Sequence, residues 1–389
     1  MRAAGRAGDQ FRRIGHLKLP EGSFSCVGET ACADFSPHCR KAPIQGGVYD
    51  TRDQQIPKHD YGGALLWIML EHSRMTFQSP LLVLLQIFGY CGVDFFLFLS
   101  GFGQYCSLTR NSDLFSFYVR KGKRLIPSFL PAFLVWTLWC IATKQVSFAD
   151  LYDFLVGNLT TLSFWLDIAP AFNWYFLALP FFYLTTPLIK KILDAKGTSG
   201  AVAMLALTLG ITPLFWYRSV LIALCRIPIY IIGMWFGREF KMGRDISKRF
   251  ELISYGVSAL GIILLYLIEK KYEETFWIYG TNWYPLILIV PGVCIAVGRM
   301  KALIKKLPAV SSLLKPLWLG LALCGEASLQ IYLFHIVSVD FAKLRTWSNA
   351  EWMLIMAGMV LGGILWYREE LRIRRRHFSE QPATHDKPF

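Results

Sequence analysis

His72 lies where a short apolar run, residues 64–70, meets the polar residues Glu71, Ser73 and Arg74. An ionisable side chain at membrane depth is costly unless it is paired or faces a cavity, so it is a candidate for function. Neutral imidazole is a suitable general base near pH 7, and the carboxylate of Glu71 is a candidate to orient it. The alternative is that His72 is only the polar end of a helix at the level of the lipid headgroups.

Asp94 and Ser100 interrupt the next apolar run, residues 89–103, which is also rich in glycine. Glycines let neighbouring helices approach closely, and packing alone explains them. Asp94 is harder to explain by packing, because lipid offers a carboxylate no partner. We therefore predict Asp94 as a second carboxylate that could orient His72.

A basic cluster, Arg120, Lys121, Lys123 and Arg124, leads directly into the third apolar run. On a helix Arg120 and Arg124 share one face, where they could bind phosphates through bidentate hydrogen bonds. A phosphate-bearing donor in the aqueous phase would need such a site. The alternative is ordinary positive charge retained on the cytoplasmic side of a membrane.

A third polar stretch, residues 325–335, is predicted to form part of one apolar helix that contains Glu326, Ser328, Gln330, Tyr332 and His335. Ser328, Tyr332 and His335 recur at i, i+4 and i+7, which places them in one stripe. Such a stripe forms either a helix contact or a cavity wall. The accompanying charge of Glu326 favours a cavity wall.

The composition indicates a polytopic membrane protein rather than several soluble domains: of 389 residues, 54% are hydrophobic, 15% aromatic and 17% charged. Thirteen Trp and seventeen Tyr are typical of interfacial belts. The net charge of +14 does not indicate a nucleic-acid partner, because the Lys and Arg fall in short clusters between apolar runs. The nine Cys show no metal-site spacing.

The predicted fold class is all-α, with about ten transmembrane helices of about 20 residues each. Their expected spans are 61–78, 81–106, 126–143, 173–192, 199–217, 220–239, 250–269, 283–299, 317–341 and 351–368. The loop at residues 144–172 is expected to hold a short helix on the membrane surface or over an external cavity.

Three regions follow from this pattern: a basic leader at 1–60, a transmembrane domain at 61–368 and a basic tail at 369–389. The leader has no helical or strand period and is expected to be poorly ordered, and a wrong start of the sequence is an alternative origin for it. Lys and Arg concentrate in the alternate segments 110–124, 190–196, 238–249, 299–315 and 368–387. This bias places both termini in the cytoplasm and the tail against anionic membrane lipids.

Residues 92–102, followed by 117–120 and 124–127, resemble the membrane-bound acyltransferase-3 family, whose members O-acylate cell-surface sugars. Three later stretches agree in order: 173–177, 226–228 and 328–335. The resemblance extends over about residues 61–368. It implies ten spans in the cell membrane, of a bacterium, with both ends inside.

The resemblance also implies a reaction: transfer of an acyl group, most simply acetyl, from cytoplasmic acyl-CoA to a hydroxyl of a cell-surface glycan or lipid-linked sugar. No bound cofactor is implied, and acyl-CoA is a substrate. His72 matches the family's catalytic histidine, and Arg120 and Arg124 match the arginines that engage acyl-CoA. The predicted site residues are His72, Glu71 and Asp94 for catalysis; Arg120, Lys121, Lys123 and Arg124 for acyl-CoA; and Ser100, Trp174, Ser328, Tyr332 and His335 for the substrate path.

Two alternatives stay open at this point. A proton-coupled transporter or flippase could use Glu71, Asp94, Glu326 and His335 as a proton relay. The second alternative is an inactive family member, because Tyr61 stands where the family has an arginine. The sequence names neither the acceptor nor the acyl length, and it leaves open whether an acyl-enzyme forms.

Overall fold

The computed structural model describes residues 58–379, apart from 168, 216–219, 245 and 272–282. All regular elements of this part of the chain are helical, so the predicted fold class, an all-α polytopic membrane protein, is confirmed. Most of the predicted leader and the last ten residues of the predicted tail lie outside it. The α-helices are α1 (Lys58–His72), α2 (Pro80–Ile87), α3 (Gly92–Arg110), α4 (Leu114–Ala142), α5 (Leu151–Leu159), α6 (Leu162–Leu166), α7 (Trp174–Ile211), α8 (Leu221–Leu224), α9 (Ile227–Lys241), α10 (Lys248–Lys271), α11 (Tyr284–Lys305), α12 (Pro308–Glu326), α13 (Ser328–Ala342) and α14 (Asn349–Ser379).

In the described part of the chain, eight helical segments are long and apolar enough to cross a membrane, compared with about ten predicted spans. The difference has physical causes. Helix α1 has only 15 residues, fewer than the roughly 20 that a full crossing needs. The predicted spans 173–192 and 199–217 are merged in α7, whose direction changes at Gly197 (φ 57°, ψ −134°).

Two predicted boundaries are wrong. The first span was expected to reach residue 78, but α1 ends at His72. The ninth was expected to be one helix over 317–341, but α12 ends at Glu326 and α13 begins at Ser328. Glu326 therefore does not share a helix with the stripe of Ser328, Tyr332 and His335. The short helix expected within residues 144–172 is confirmed by α5 and α6.

The break after α12 lies where this helix packs closely against the first turn of α1. A side chain at Gly62 would collide with the Leu321 carbonyl, and one at Gly325 would collide with the Lys58 carbonyl. Lys58 also forms an ion pair with Glu326, the last residue of α12. Hydropathy could not reveal this break, because residues 317–325 before it and 329–341 after it are predominantly apolar.

Helices α3 and α9 also pack with their backbones in contact. A Cβ atom at Gly101 of α3 would collide with the Tyr230 carbonyl, and one at Gly233 of α9 would collide with the Phe98 carbonyl. Small residues at these positions permit the close approach that membrane helices use for packing. The contact brings the start of α3 close to the start of α9.

Candidate active site

His72 is the last residue of α1, and its side chain is buried. Its Nδ1 lies 2.9 Å from the backbone carbonyl oxygen of Ile68. Because a carbonyl oxygen can only accept a hydrogen bond, this contact assigns the proton of the neutral ring to Nδ1. The lone pair is then on Nε2, which is the atom that can take a proton from a substrate.

His335 of α13 packs edge-on against His72, with the ring centroids 5.0 Å apart and an interplanar angle of 68°. Its side chain is 1% exposed, and neither ring nitrogen forms a hydrogen bond with any described residue. A buried polar group without a partner costs about 1–3 kcal/mol. We call His72 and His335 the histidine pair.

Polar contacts fix the chain that follows His72. The Ser73 hydroxyl donates to the Leu70 carbonyl at 2.7 Å, and the side-chain amide of Gln86 donates to the Ser73 carbonyl at 3.0 Å. Thr76 and Asn349 exchange two hydrogen bonds of 2.9 and 2.6 Å. Helices α2 and α14 therefore hold the end of α1, and the position of the imidazole depends on both.

The two carboxylates predicted to orient His72 have different surroundings. Oε2 of Glu71 lies 3.6 Å from Nδ1 of His72, which is longer than a hydrogen bond. The closer partner of Nδ1 is the Ile68 carbonyl, which sequence reasoning did not single out. Asp94 is buried near the start of α3, and its Oδ2 lies 3.4 Å from Nε of Arg226. Orienting roles for Glu71 and Asp94 stay predictions.

Arg226 precedes α9 and is enclosed by aromatic rings. Its guanidinium carbon lies 5.1 Å from the Trp174 ring centroid and 4.8 Å from that of Trp283, distances typical of cation–π contacts. Its Nη1 donates to the Ile222 carbonyl at 2.8 Å. Trp174, predicted on the substrate path, therefore covers a buried ion pair between Asp94 and Arg226.

The basic cluster is placed by α4, which begins after Asp113. The Asp113 carboxylate accepts backbone hydrogen bonds from Phe115 and Ser116 at 3.2 and 3.0 Å. Hydrogen bonds from Ser116, made by its hydroxyl and its backbone N–H, lower the pKa of Asp113. An ionised carboxylate at this position stabilises the start of a helix.

The four basic residues of α4 do not share one environment. Lys121 is buried, with its ammonium 5.1 Å from the Phe117 ring centroid and 5.7 Å from that of Tyr183. Lys123 is exposed, and Arg120 is partly exposed. Arg124 lines a small cavity of about 40 Å³, together with Glu326, Gln330, Tyr367, Glu370, Leu371 and Arg374.

A hydrogen-bonded cluster forms one wall of this cavity. Glu370 of α14 accepts from the Ser128 hydroxyl at 2.8 Å, from the Gln330 amide at 3.0 Å and from the Arg374 guanidinium at 3.2 Å. We call these four residues the Glu370 cluster. Arg374 and Glu370 belong to the tail that was predicted to lie against lipid, but here they face the cavity.

Helix α13 connects the cavity to the histidine pair. Gln330 lines the cavity, and His335 is five residues further along, a rise of about 7.5 Å. Ser328 and Tyr332 are buried on the same helix, as the predicted stripe requires. Ser100 is buried within α3. In the described part of the chain, no group of three or more His, Cys, Asp or Glu side chains could hold a metal ion.

A family model described as an acyltransferase domain, Acyl_transf_3, matches residues 62–368. The chain belongs to this acyltransferase family. The match spans most of the chain and confirms the resemblance to the acyltransferase-3 family. Comparison with curated proteins and with solved structures gave no match. Membership supports an acyltransferase embedded in a membrane.

Tyr61 of this acyltransferase lies one residue before the matched range and is fully buried. Its ring packs against Phe96 with the centroids 5.6 Å apart. The position at which the resemblance implies an arginine is therefore part of the apolar core. Nearby charge is supplied by the preceding residue, Asp60, which forms an ion pair with Lys301.

Sequence reasoning missed two features of the acyltransferase. Arg226 was not among the predicted site residues, although its place between apolar runs signals a buried charge. Glu370 was assigned to a basic tail, although Glu370 and Arg374 have the i, i+4 spacing of a helical ion pair. The sequence signals for Arg226 and Glu370 are local. Their contacts are not, because Arg226 pairs with Asp94 and Glu370 with Gln330, which are distant in sequence.

Proposed function

We propose that this acyltransferase moves an acetyl group from acetyl-CoA on the cytoplasmic side to a hydroxyl of a sugar or glycan on the other side of the cell membrane. One observation carries the proposal. The hydrogen bond from Nδ1 of His72 to the Ile68 carbonyl assigns the basic lone pair to Nε2. This tautomer supports a role for His72 as the general base of a buried site.

The proposed reaction is a direct transfer. Nε2 of His72 takes the proton of the acceptor hydroxyl while its oxygen attacks the thioester carbon. The carbon–sulfur bond then breaks, and the CoA thiolate takes the proton from the His72 imidazolium. The histidine returns to its starting form, and no acyl-enzyme is required.

The donor is proposed to bind at the Arg124 cavity. A guanidinium binds phosphate bidentately, and Arg124 and Arg374 both line this cavity. Arg120 and the exposed Lys123 would add charge outside it, and Lys121 would add charge from its aromatic pocket. The concentration of basic residues on this side supports a cytoplasmic entrance and cytoplasmic termini. The acyl end would extend along α13 toward the histidine pair.

The acceptor is proposed to approach the histidine pair past polar and aromatic residues. Tyr332 and Ser328 share α13 with His335 and are buried. Trp174 and Ser100 are buried on α7 and α3. Flat aromatic rings and hydroxyls are suitable neighbours for a sugar, because they combine apolar area with hydrogen bonding.

The test compares membranes that contain the parent protein with membranes that contain His72→Ala, each incubated with labelled acetyl-CoA and a glycan extract. His59→Ala is the matched control, because His59 lies on α1 but contacts Trp318 instead, with ring centroids 5.2 Å apart. We expect label in the glycan with the parent and with His59→Ala, and none with His72→Ala. Equal labelling by all three removes His72 from the mechanism.

The contacts disfavour the transporter alternative. Two carboxylates of the suggested proton relay, Asp94 and Glu326, form ion pairs with Arg226 and Lys58. Binding of CoA distinguishes the two classes: a ligand at 100 times its Kd stabilises a protein by about 2.7 kcal/mol. We expect CoA to raise the melting temperature of the parent, and this rise to shrink in Arg124→Ala. No rise in the parent counts against the donor site.

The inactive-member alternative is tested at Tyr61. The proposal expects the parent, with Tyr61 buried against Phe96, to transfer the acetyl group. A parent without activity and a Tyr61→Arg variant that gains it would support the alternative.

A further inference from the structure

His335 contacts the proposed base, yet the proton transfer described above makes no use of it. Its ring lies 5.0 Å from the His72 ring, centroid to centroid, and its nitrogens hydrogen-bond no described residue. We propose that His335 is a catalytic residue whose N–H donates a hydrogen bond to the thioester carbonyl oxygen as negative charge develops there. This inference rests on the proposed acyl transfer and adds a second role to the same site.

The geometry of the two rings supports this division of roles. The acceptor oxygen must be within hydrogen-bond reach of His72, and the carbonyl carbon that it attacks lies about 3 Å from that oxygen. The carbonyl oxygen bonded to this carbon then falls in the space beside His72, where His335 lies. The two ring planes are inclined at 68°, so the rings are not stacked and their edges lie in different planes. The two histidines can therefore contact different substrate atoms.

Burial explains why this donor would act on the transition state. His335 is 1% exposed, so water does not compensate its N–H. A neutral imidazole has one N–H donor, and a donor placed in advance in a dry site stabilises an oxyanion more than it would in water. The charge on the carbonyl oxygen is largest in the transition state, so the bond lowers the barrier.

The step is balanced without any further reactant. The acceptor proton moves to Nε2 of His72, the new carbon–oxygen bond forms, and the carbonyl π electrons move to the oxygen that His335 contacts. Collapse restores the carbonyl and breaks the carbon–sulfur bond. The thiolate takes the proton from His72, and His335 donates a hydrogen bond throughout without losing its proton.

The test uses substitutions of matched shape that differ in the donor. The Asn and Leu side chains have nearly the same shape, but only His335→Asn retains an N–H donor, and His335→Leu has no donor. We expect His335→Leu to lower kcat by about 10²–10³-fold, the typical cost of removing one oxyanion donor, with the KM for acetyl-CoA unchanged within about threefold. His335→Asn is expected to recover at least about tenfold of that loss.

A second pair, His335→Gln and His335→Met, repeats the comparison with a longer side chain, and kcat is measured per folded molecule. His59→Asn and His59→Leu are the controls and should match the parent. The proposal is overturned if the donor and non-donor variants have equal kcat in both pairs while His72→Ala is inactive. If the parent itself transfers no acetyl group, the proposed function fails and this inference fails with it.

Discussion

The histidine pair and the Glu370 cluster share helix α13 but differ in their hydrogen bonding. In the Glu370 cluster, Ser128, Gln330 and Arg374 all donate to one carboxylate at 2.8–3.2 Å. In the histidine pair, His335 is equally buried, yet neither of its nitrogens has a hydrogen-bond partner among the described residues. The polar groups of the Glu370 cluster thus have hydrogen-bond partners within the protein, whereas His335 has a ring N–H donor that no described residue accepts.

The difference indicates different roles. A satisfied buried network fixes the elements that carry it, here α4, α13 and α14. An unsatisfied buried polar group is costly, and such groups are found where a site must meet a ligand. We therefore expect substitutions of Ser128, Gln330 and Glu370 to lower stability, and substitutions in the histidine pair to lower the rate of acyl transfer.

Asp94 and Arg226 form a third buried polar region. It tests whether having a partner within the protein is enough to mark a buried polar group as structural rather than catalytic. Asp94→Ala leaves the Arg226 charge buried between two Trp rings, so we expect a loss of about 3–5 kcal/mol of stability. Thermal unfolding in detergent measures it, and Asp94→Leu with Arg226→Met should restore much of the loss. The exposed pair of Glu369 and Arg372 gives the control, Glu369→Ala, with little expected change. A stable Asp94→Ala protein would contradict a structural role for the ion pair.

Glu370→Ala removes the carboxylate that accepts the hydrogen bonds of the Glu370 cluster. The Gln330 amide and the Ser128 hydroxyl then lose their bonds to this carboxylate, and we expect the free energy of unfolding to fall by about 2–3 kcal/mol. The melting temperature should fall, while kcat per folded molecule stays within about threefold of the parent. A large loss of kcat at unchanged melting temperature would show that the cluster takes part in the reaction.

Arg124→Ala sharpens the comparison at the cavity beside the Glu370 cluster. Arg124 lines the cavity, whereas its neighbour Lys123 is exposed. Loss of one charge-assisted phosphate contact, worth about 1.5 kcal/mol, should weaken CoA binding about tenfold. Lys123→Ala should change the Kd for CoA by no more than about twofold. Equal effects in the two variants, measured by calorimetry, would remove the cavity as the donor site.

Much of the fold and part of the site could be predicted from the sequence. The length of the apolar runs gives the all-α membrane class, and His72 and His335 stand out because ionisable residues are rare in such runs. Their contact could not be predicted, because it depends on how α1 and α13 pack. The break at Ala327 was hidden for the same reason, since it lies where α12 packs against α1.

The burial of Glu370 also depends on tertiary structure. A basic, charged sequence after a span resembles a cytoplasmic tail, and hydropathy gives no reason to extend the helix inward. In the structure α14 continues to Ser379, and this extension brings Glu370 to Gln330 of α13 and Ser128 of α4.

The most direct test of the account is the rate of acetyl transfer by purified His72→Gln at saturating acetyl-CoA. Loss of a general base costs about 10²–10⁴-fold in rate, so we expect a fall of this size in kcat. The melting temperature and its increase with CoA should stay close to those of the parent, because the donor cavity is intact. A His72→Gln protein that keeps kcat within about threefold of the parent would contradict the assignment of His72 as the base.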